Sequence, residues 1–246
     1  MKRYYLTSVF LILLFVTFTT NRSFAQYDTI AISILDSMTY NIGELESCSF
    51  SFVAENDIPN DEFGLITHGE FGNIILKAPN RMYMEKKGDK GHREFFSDGE
   101  SFSLYSHDKN QYATALASMS LVEFIDSLSG YYGIEFPGTD VFYPDFVDNI
   151  LATSNNLIYL GLAMIGVNEC YHIAGARDDM TFQIWVSSDG RYLLERLSLV
   201  YILKPGNPRY SITYSDWKLN EYFEESKFKF KIPEGAKQVK LIQSGN

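Results

Sequence analysis

The signatures that commonly mark an enzyme are missing from this sequence of 246 residues. It holds no G-x-S-x-G elbow, no H-E-x-x-H helix, no phosphate-binding glycine loop and no C-x-x-C pair. Those absences argue against acyl transfer on a nucleophile elbow, zinc hydrolysis, nucleotide binding and dithiol exchange. The four histidines, His68, His92, His107 and His172, lie in strands or turns with no second ligand at metal spacing. No metal, no cofactor and no catalytic residue is therefore expected. A dispersed triad leaves no such trace in sequence, and a hydrolase is kept only as the third of three readings.

Positive charge is also scarce: 21 Lys and Arg stand against 31 Asp and Glu, a formal net charge of −10. Such a surface repels phosphate backbones, which excludes nucleic acid as a natural partner. The chain opens with an apolar run after a basic start, "MKRYYLTSVFLILLFVTFTTNRSFAQ". A basic start at Lys2 and Arg3, a short apolar stretch around Val9 to Phe18 and small residues at Ser23 and Ala25 read as a secretory signal peptide cut after Ala25. The stretch is broken by Thr17, Thr19 and Thr20, whereas a bilayer core wants about 20 apolar residues. Removing residues 1–25 takes away Lys2, Arg3 and Arg22 and no acid, so the formal charge moves from −10 to −13. The remaining 221 residues, 26–246, suit one domain with a sizeable core. A soluble periplasmic protein is the expected product.

Only two cysteines, Cys48 and Cys170, occur. They do not make a disulfide scaffold, and in a meandering sheet their strands would not be neighbours, so they are expected to stay unpaired.

What is abundant is aromatic: 19 Phe and 17 Tyr. They sit in strand patterns. "SCSFSFV" puts Cys48, Phe50 and Phe52 on one face and serines on the other, the two-residue repeat of a half-buried strand. "RMYMEK" repeats this with Met82 and Met84, and "MTFQIWV" with Met180, Phe182, Ile184 and Val186. Between Glu94 and Ala115, "SDGE" and "HDKN" supply the turns that make three consecutive strands. After residue 156 the pattern returns through "YLGLAMIG", "CYHIAG", "MTFQIWVS", "RYLLERLSLVYIL" and "RYSITYSDWKL", with "SKFKFKIPEGA" closing the chain. About ten antiparallel strands follow, too many for a flat open sheet. The acidic stretch "ENDIPNDE", Glu55 to Glu62, lacks the glycine and spacing of a calcium loop and reads as a solvated hairpin loop.

Helices are few. Ala31, Ile34, Leu35 and Met38 repeat at helical spacing; Ser120 and Glu123 form a capping-box pattern before Leu121, Phe124, Ile125 and Leu128; a third helix starts at Pro144 with Phe146, Val147, Ile150 and Leu151 inward. The fold class is mainly β with some α: a strongly curved antiparallel sheet with a few helices covering its concave face.

The stretches Gly88 to Ala113, Tyr159 to Ala174, Phe182 to Val186, Pro208 to Trp217 and Phe230 to Ala236, in that order and spacing, resemble the predicted periplasmic family catalogued as domain of unknown function 2092. That family is similar to the lipoprotein carriers LolA and LolB. The resemblance implies a LolA-like half-barrel with an apolar cavity between sheet and helices. It also implies a few polar or basic residues at the cavity mouth, for which Arg81 and Arg93 are the candidates. The alternative for both is a surface arginine paired with Glu85 or Glu94.

The face expected to line such a cavity carries Phe50, Phe52, Met82, Met84, Phe102, Leu104, Phe182 and Ile184. The same residues would equally form a closed core. A binder of a lipid, an acyl chain or an acylated protein is the leading reading. The second is a protein-interaction or sensor module that meets an envelope protein partner with the same fold. N-terminal sequencing of the exported protein should begin at Gln26; a chain still starting at Met1 would overturn the signal-peptide reading.

Overall fold

The computed structural model describes residues 26–116, Ser120, Glu123 and 139–240. Among these residues thirteen strands form one sheet. In chain order the elements begin with β1 (Gln26–Tyr27) and helix α1 (Thr29–Gly43). A first meander follows: β2 (Ser47–Asn60), β3 (Gly64–Lys77), β4 (Arg81–Gly88), β5 (Gly91–Asp98), β6 (Ser101–Ser106) and β7 (Gln111–Leu116). Helix α2 (Phe146–Thr153) leads into the second: β8 (Asn156–Ile165), β9 (Asn168–Ala176), β10 (Met180–Ser187), β11 (Leu194–Tyr201) and β12 (Arg209–Leu219), before a final β13 (Lys237–Gln238).

Spatially the order is β1-β8-β9-β10-β11-β12-β2-β3-β4-β5-β6-β7-β13. The two meanders therefore join where β12 pairs antiparallel with β2. Every internal pairing is antiparallel; the two-residue strands β1 and β13 add parallel contacts at the two edges. The result is the curved, open, mostly antiparallel sheet that the strand count demands.

The turns follow from local chemistry. Between β5 and β6, Asp98 Oδ1 accepts from the backbone N–H groups of Glu100 (3.1 Å) and Ser101 (2.8 Å), while Gly99 takes φ +91°. Burial opposes ionisation of Asp98, but the hydrogen bonds from Ser101 and Glu100 outweigh it and hold the carboxyl below its ordinary range. Between β4 and β5, Gly88 pairs directly with Gly91, leaving Asp89-Lys90 as a two-residue connection.

Helix α1 is capped by Asp28, whose side chain accepts from Ile30 N at 2.8 Å, and it buries Ala31, Ile34, Leu35, Met38 and Ile42 along one stripe. In α2, Val147 and Ile150 are buried and Phe146 and Leu151 pack beside them. Pro144 lies just ahead of the N-cap Asp145 and not in the first turn. The Ser120–Glu123 box closes reciprocally: Ser120 N donates to Glu123 Oε2 (2.9 Å) and Glu123 N to Ser120 Oγ (3.3 Å). Leu121, Phe124, Ile125 and Leu128 lie outside the described residues, as does the 1–25 segment. No helix among the described residues is long and apolar enough to cross a membrane.

Two expectations are corrected. Glu55–Asn60 is not loop: β2 and β3 continue as a 14-residue ladder to Asn60↔Gly64, and only residues 61–63 turn. Ladder hydrogen bonds satisfy the backbone there, and Asp57 accepts from Thr67 Oγ1 across the pair at 2.6 Å, so acidic composition did not prevent a strand. Nor does Ser226–Ala236 close the sheet as a long strand. Glu225–Phe228 forms a 3-10 turn that buries Phe228, and only Lys237–Gln238 pairs with β7.

Both cysteines are free and buried. Cys48 is on β2 and Cys170 on β9, with β10, β11 and β12 between them. Burial pushes their thiols up to about 12 and about 11 respectively, which keeps them protonated and unreactive.

One buried carboxyl costs stability. Glu195 is 3% exposed, and burial raises its pKa even though Asn168 Nδ2 donates to Oε2 at 3.0 Å. A folded-state pKa above the unfolded value makes the fold most stable when the group is protonated, and that stability is lost as pH rises from the ordinary carboxylate range through the raised value. Glu195→Gln should therefore melt at a higher temperature than wild type at pH 7, with the gap closing as pH falls to about 4. An equal gap at both pH values would refute this.

Candidate functional site

Register decides which side chains share the concave face. Across the first meander, Phe50 pairs with Ile74, Ile74 with Met84, Met84 with Phe95 and Phe95 with Leu104. One row on, Leu76, Met82, Ser97 and Phe102 align. Across the second, Ile212 meets Leu197, Leu197 meets Ile184 and Ile184 meets Ile173, while Phe182 meets Leu199. Phe52 faces Tyr214 at the junction. All eight sequence-selected residues thus lie on one face. Seven are buried in a single apolar cluster with α1 and α2; Leu104 packs against it half-buried.

A bulge extends this face. β12 loses step with β2 between Ser215 and Lys218, and Asp216 takes φ +55°. Simple alternation after Tyr214 would point Lys218 inward. The extra residue instead turns Trp217 onto Phe50, with ring centroids 4.4 Å apart, and its indole Nε1 donates to the Leu194 carbonyl at 3.1 Å. The sequence pattern did not reveal this switch.

Helix α1 packs chiefly on β8, on α2 and on the 3-10 turn Thr139–Phe142, whose Phe142 stacks on Phe50 of β2, with β10 next. The apolar face, however, continues through β3 to β6. At one end of the concavity it gives way to charge. A pocket of about 320 Å³ opens there, with Phe95 and Ala54 beneath and Glu70, Lys86, Arg93 and Lys204 around it. Lys86 Nζ lies 3.3 Å from Glu70 Oε2. Arg93 pairs with Lys86 in the β4–β5 register, so two cations face each other across the strands.

Of the two candidate mouth arginines, then, Arg93 is at the pocket. Arg81 is not: its Nε lies 2.6 Å from Glu225 Oε2. Neither takes Glu85 or Glu94 as ion partner among the described residues. Glu85 is held by Lys87 and His92, which lower its pKa despite burial, and Glu94 by His107 and the Tyr83 hydroxyl. Lys86 and Lys204 were missed in the sequence. Lys86 was legible in principle: reading "GDKG" as a two-residue hairpin places it opposite Arg93.

On the other face, His92 and His107 stack with centroids 3.7 Å apart, and each Nε2 lies 2.9 Å from a carboxylate, Glu85 and Glu94 respectively. No group of three or more metal-ligating side chains occurs among the described residues.

The comparisons agree with this architecture. Residues 31–242 match the family described as predicted periplasmic protein, domain of unknown function 2092. The chain belongs to that family. Among solved structures, the lipoprotein LppX of Mycobacterium tuberculosis is similar at 17% identity and a TM-score of 0.51, with 80% of this chain and 98% of that one covered. LprF of Mycobacterium bovis gives 13% identity and 0.45, covering 85% and 98%. A LolA superfamily protein of Nitrosomonas europaea gives 12% and 0.39, covering 81% and 97%. At these identities the likeness concerns the fold alone, and it is the match to LppX that carries it. The curated proteins contain no sequence match.

Within this family member, Met84 tests how the concave face is packed. It is 2% exposed and meets Ile74 and Phe95 across the ladder. Met84→Ala should cost about 2–5 kcal/mol in denaturant unfolding; a loss well under 2 would show that this position has empty space beside it.

Proposed function

We propose that this protein binds an apolar ligand, a lipid or the acyl chain of a lipoprotein, between the concave sheet and its helices, in the periplasm and without catalysis. One observation carries the reading. The apolar face runs across both meanders of an open LolA-like sheet, with Ser97 in one of its rows, whereas among the strands α1 packs chiefly on β8 and β10. A face of that extent beside an open pocket is the arrangement that small-molecule sites favour. The family's description as periplasmic and the similarity in fold to the lipoprotein LppX support it. The eight residues Phe50, Phe52, Met82, Met84, Phe102, Leu104, Phe182 and Ile184 are the proposed wall, seven of them closed over until a ligand enters and Leu104 half-buried.

Leu104 gives the cleanest test, because it is the half-buried member of the set. The mature protein should enhance the fluorescence of the neutral probe N-phenyl-1-naphthylamine and lose it on adding a long-chain alcohol. Leu104→Glu should abolish probe binding, since an unpaired carboxylate on an apolar wall is costly, while the melting temperature stays near wild type. A wild-type protein that never binds the probe would make this face plain core. The envelope-interaction reading would then take over.

A further inference from the structure

The charged end of the concavity has chemistry that an apolar ligand does not use. Its pocket is bordered by four cations, Lys86, Lys90, Arg93 and Lys204, and by three carboxylates, Glu55, Glu70 and Asp89. In a chain with 21 basic and 31 acidic residues, this reverses the overall charge balance locally. Two of the carboxylates are already engaged: Glu70 holds Lys86 at 3.3 Å, and Asp89 Oδ2 lies 3.2 Å from His68 Nδ1. Among the described residues, Lys90, Arg93 and Lys204 have no carboxylate within ion-pair distance. Lys204 Nζ instead sits 4.1 Å from the centre of the Tyr201 ring.

The register sharpens the point. Arg93 and Lys86 are direct cross-strand partners on adjacent antiparallel strands. Like charges so placed repel unless something negative lies between them. Glu70 serves only Lys86. Gly72, the residue opposite Lys86 on β3, supplies no side chain, and a Cβ there would collide with the Glu85 carbonyl. The pocket thus presents a planar guanidinium and ammonium groups around a space of about 320 Å³, with an aromatic floor formed by Phe95. Lys86 Nζ lies 6.0 Å from that ring's centre.

We infer that this pocket is an anion site that takes a phosphate or carboxylate group, with Arg93 as the principal donor and Lys86 and Lys204 beside it. Arg offers the paired donors that match a phosphate or carboxylate edge. Phe95 belongs to both the pocket and the apolar cluster, so the anion lies at the end of the proposed apolar site. Resting on that function, the ligand is an anionic amphiphile, headgroup at Arg93 and chain along the concave face.

The test compares dodecyl phosphate, dodecanol and inorganic phosphate by calorimetry on the mature protein, with Arg93→Gln and, on a separate turn, Lys204→Gln. Dodecyl phosphate should bind roughly tenfold or more tighter than dodecanol, as one or two charge-assisted hydrogen bonds allow. Arg93→Gln should erase that advantage without weakening dodecanol, and Lys204→Gln should reduce it; unchanged melting of the Lys204 variant guards against a folding artefact. Equal binding of the two amphiphiles to wild type would overturn the anion site and leave the apolar-ligand reading standing. Failure of both amphiphiles together with Arg93-dependent binding of inorganic phosphate would support the anion site, with free phosphate as its source, and sink the apolar reading. An advantage that survives in both variants would overturn the assignment to this pocket.

Discussion

The register of β2 is the constraint on which the rest of the molecule depends. β2 is the seventh of thirteen strands, and it joins the two meanders through a 14-pair ladder with β3 on one side and a bulged ladder with β12 on the other. Side chains alternate with a period of two, so a slip of one residue would send Cys48, Phe50, Phe52 and Ala54 to solvent and the intervening serines and Val53 inward. Each flanking strand would inherit the error. The tight turn at residues 61–63, where Asn60 Oδ1 accepts from Glu62 N (3.0 Å) and Phe63 N (2.9 Å), pins this register locally. Hydrophobic pattern and turn chemistry thus agree at the centre of the sheet, the consistency that makes a sequence specify one fold.

The number of aromatics has a second cause besides the concave core. The convex side of β4 to β7 is also covered, by the segment after β12. Phe230 packs on Phe96, Tyr105 and Tyr112, at centroid distances of 5.4, 6.0 and 5.3 Å. Glu225 ties Lys77 at 2.7 Å and Arg81 at 2.6 Å, and Lys227 Nζ lies 4.0 Å from the centre of the Tyr83 ring. Burial, the hydrogen bond to Glu94 and nearby negative charge all raise the Tyr83 hydroxyl pKa, so it stays a neutral donor. A sheet apolar on both faces over part of its width needs more Phe and Tyr than one wetted on the back.

What could be read in sequence were features whose signal is local. Period-two runs such as "SCSFSFV" and "MTFQIWV", the turns "SDGE" and "HDKN", and the helical spacing of Ala31, Ile34, Leu35 and Met38 each lie within one element, and they yielded the strands, the inward face and α1. Features set by neighbours in space were missed. The alternation in "KFKFKI" matches a strand, but Phe228 is buried in a 3-10 turn and Phe230 packs on the rings of Phe96, Tyr105 and Tyr112, and no ladder among the described residues includes them. "ENDIP" looks like a loop by composition, yet its backbone is paired residue for residue with β3. The Trp217 switch hinges on Asp216 adopting a positive φ, a conformation that Asp tolerates without announcing it in the pattern. Arg93 was singled out, but its significance comes from Lys86 across the strand and from the glycine beyond it.

That pairing also bears on how the concavity is divided. Its apolar part is built from rows of Phe, Met, Ile and Leu that include Ser97 and no charge, and its charged part begins one ladder step beyond Phe95, where Arg93 and Lys86 follow Phe95 and Met84 along β5 and β4. The boundary is abrupt because alternation allows it to be: two residues along each strand exchange an apolar row for a cationic one. An unpaired charge moved across that step, from the Arg93 row to the Met84 row, would lose both its water and its counter-charge at a cost of several kcal/mol. On the proposed reading, this fixes the polarity of anything bound along the groove. A charged terminus belongs at the Arg93 end, an apolar one belongs over Phe50 and Phe182, and the reversed orientation is excluded by desolvation rather than by shape.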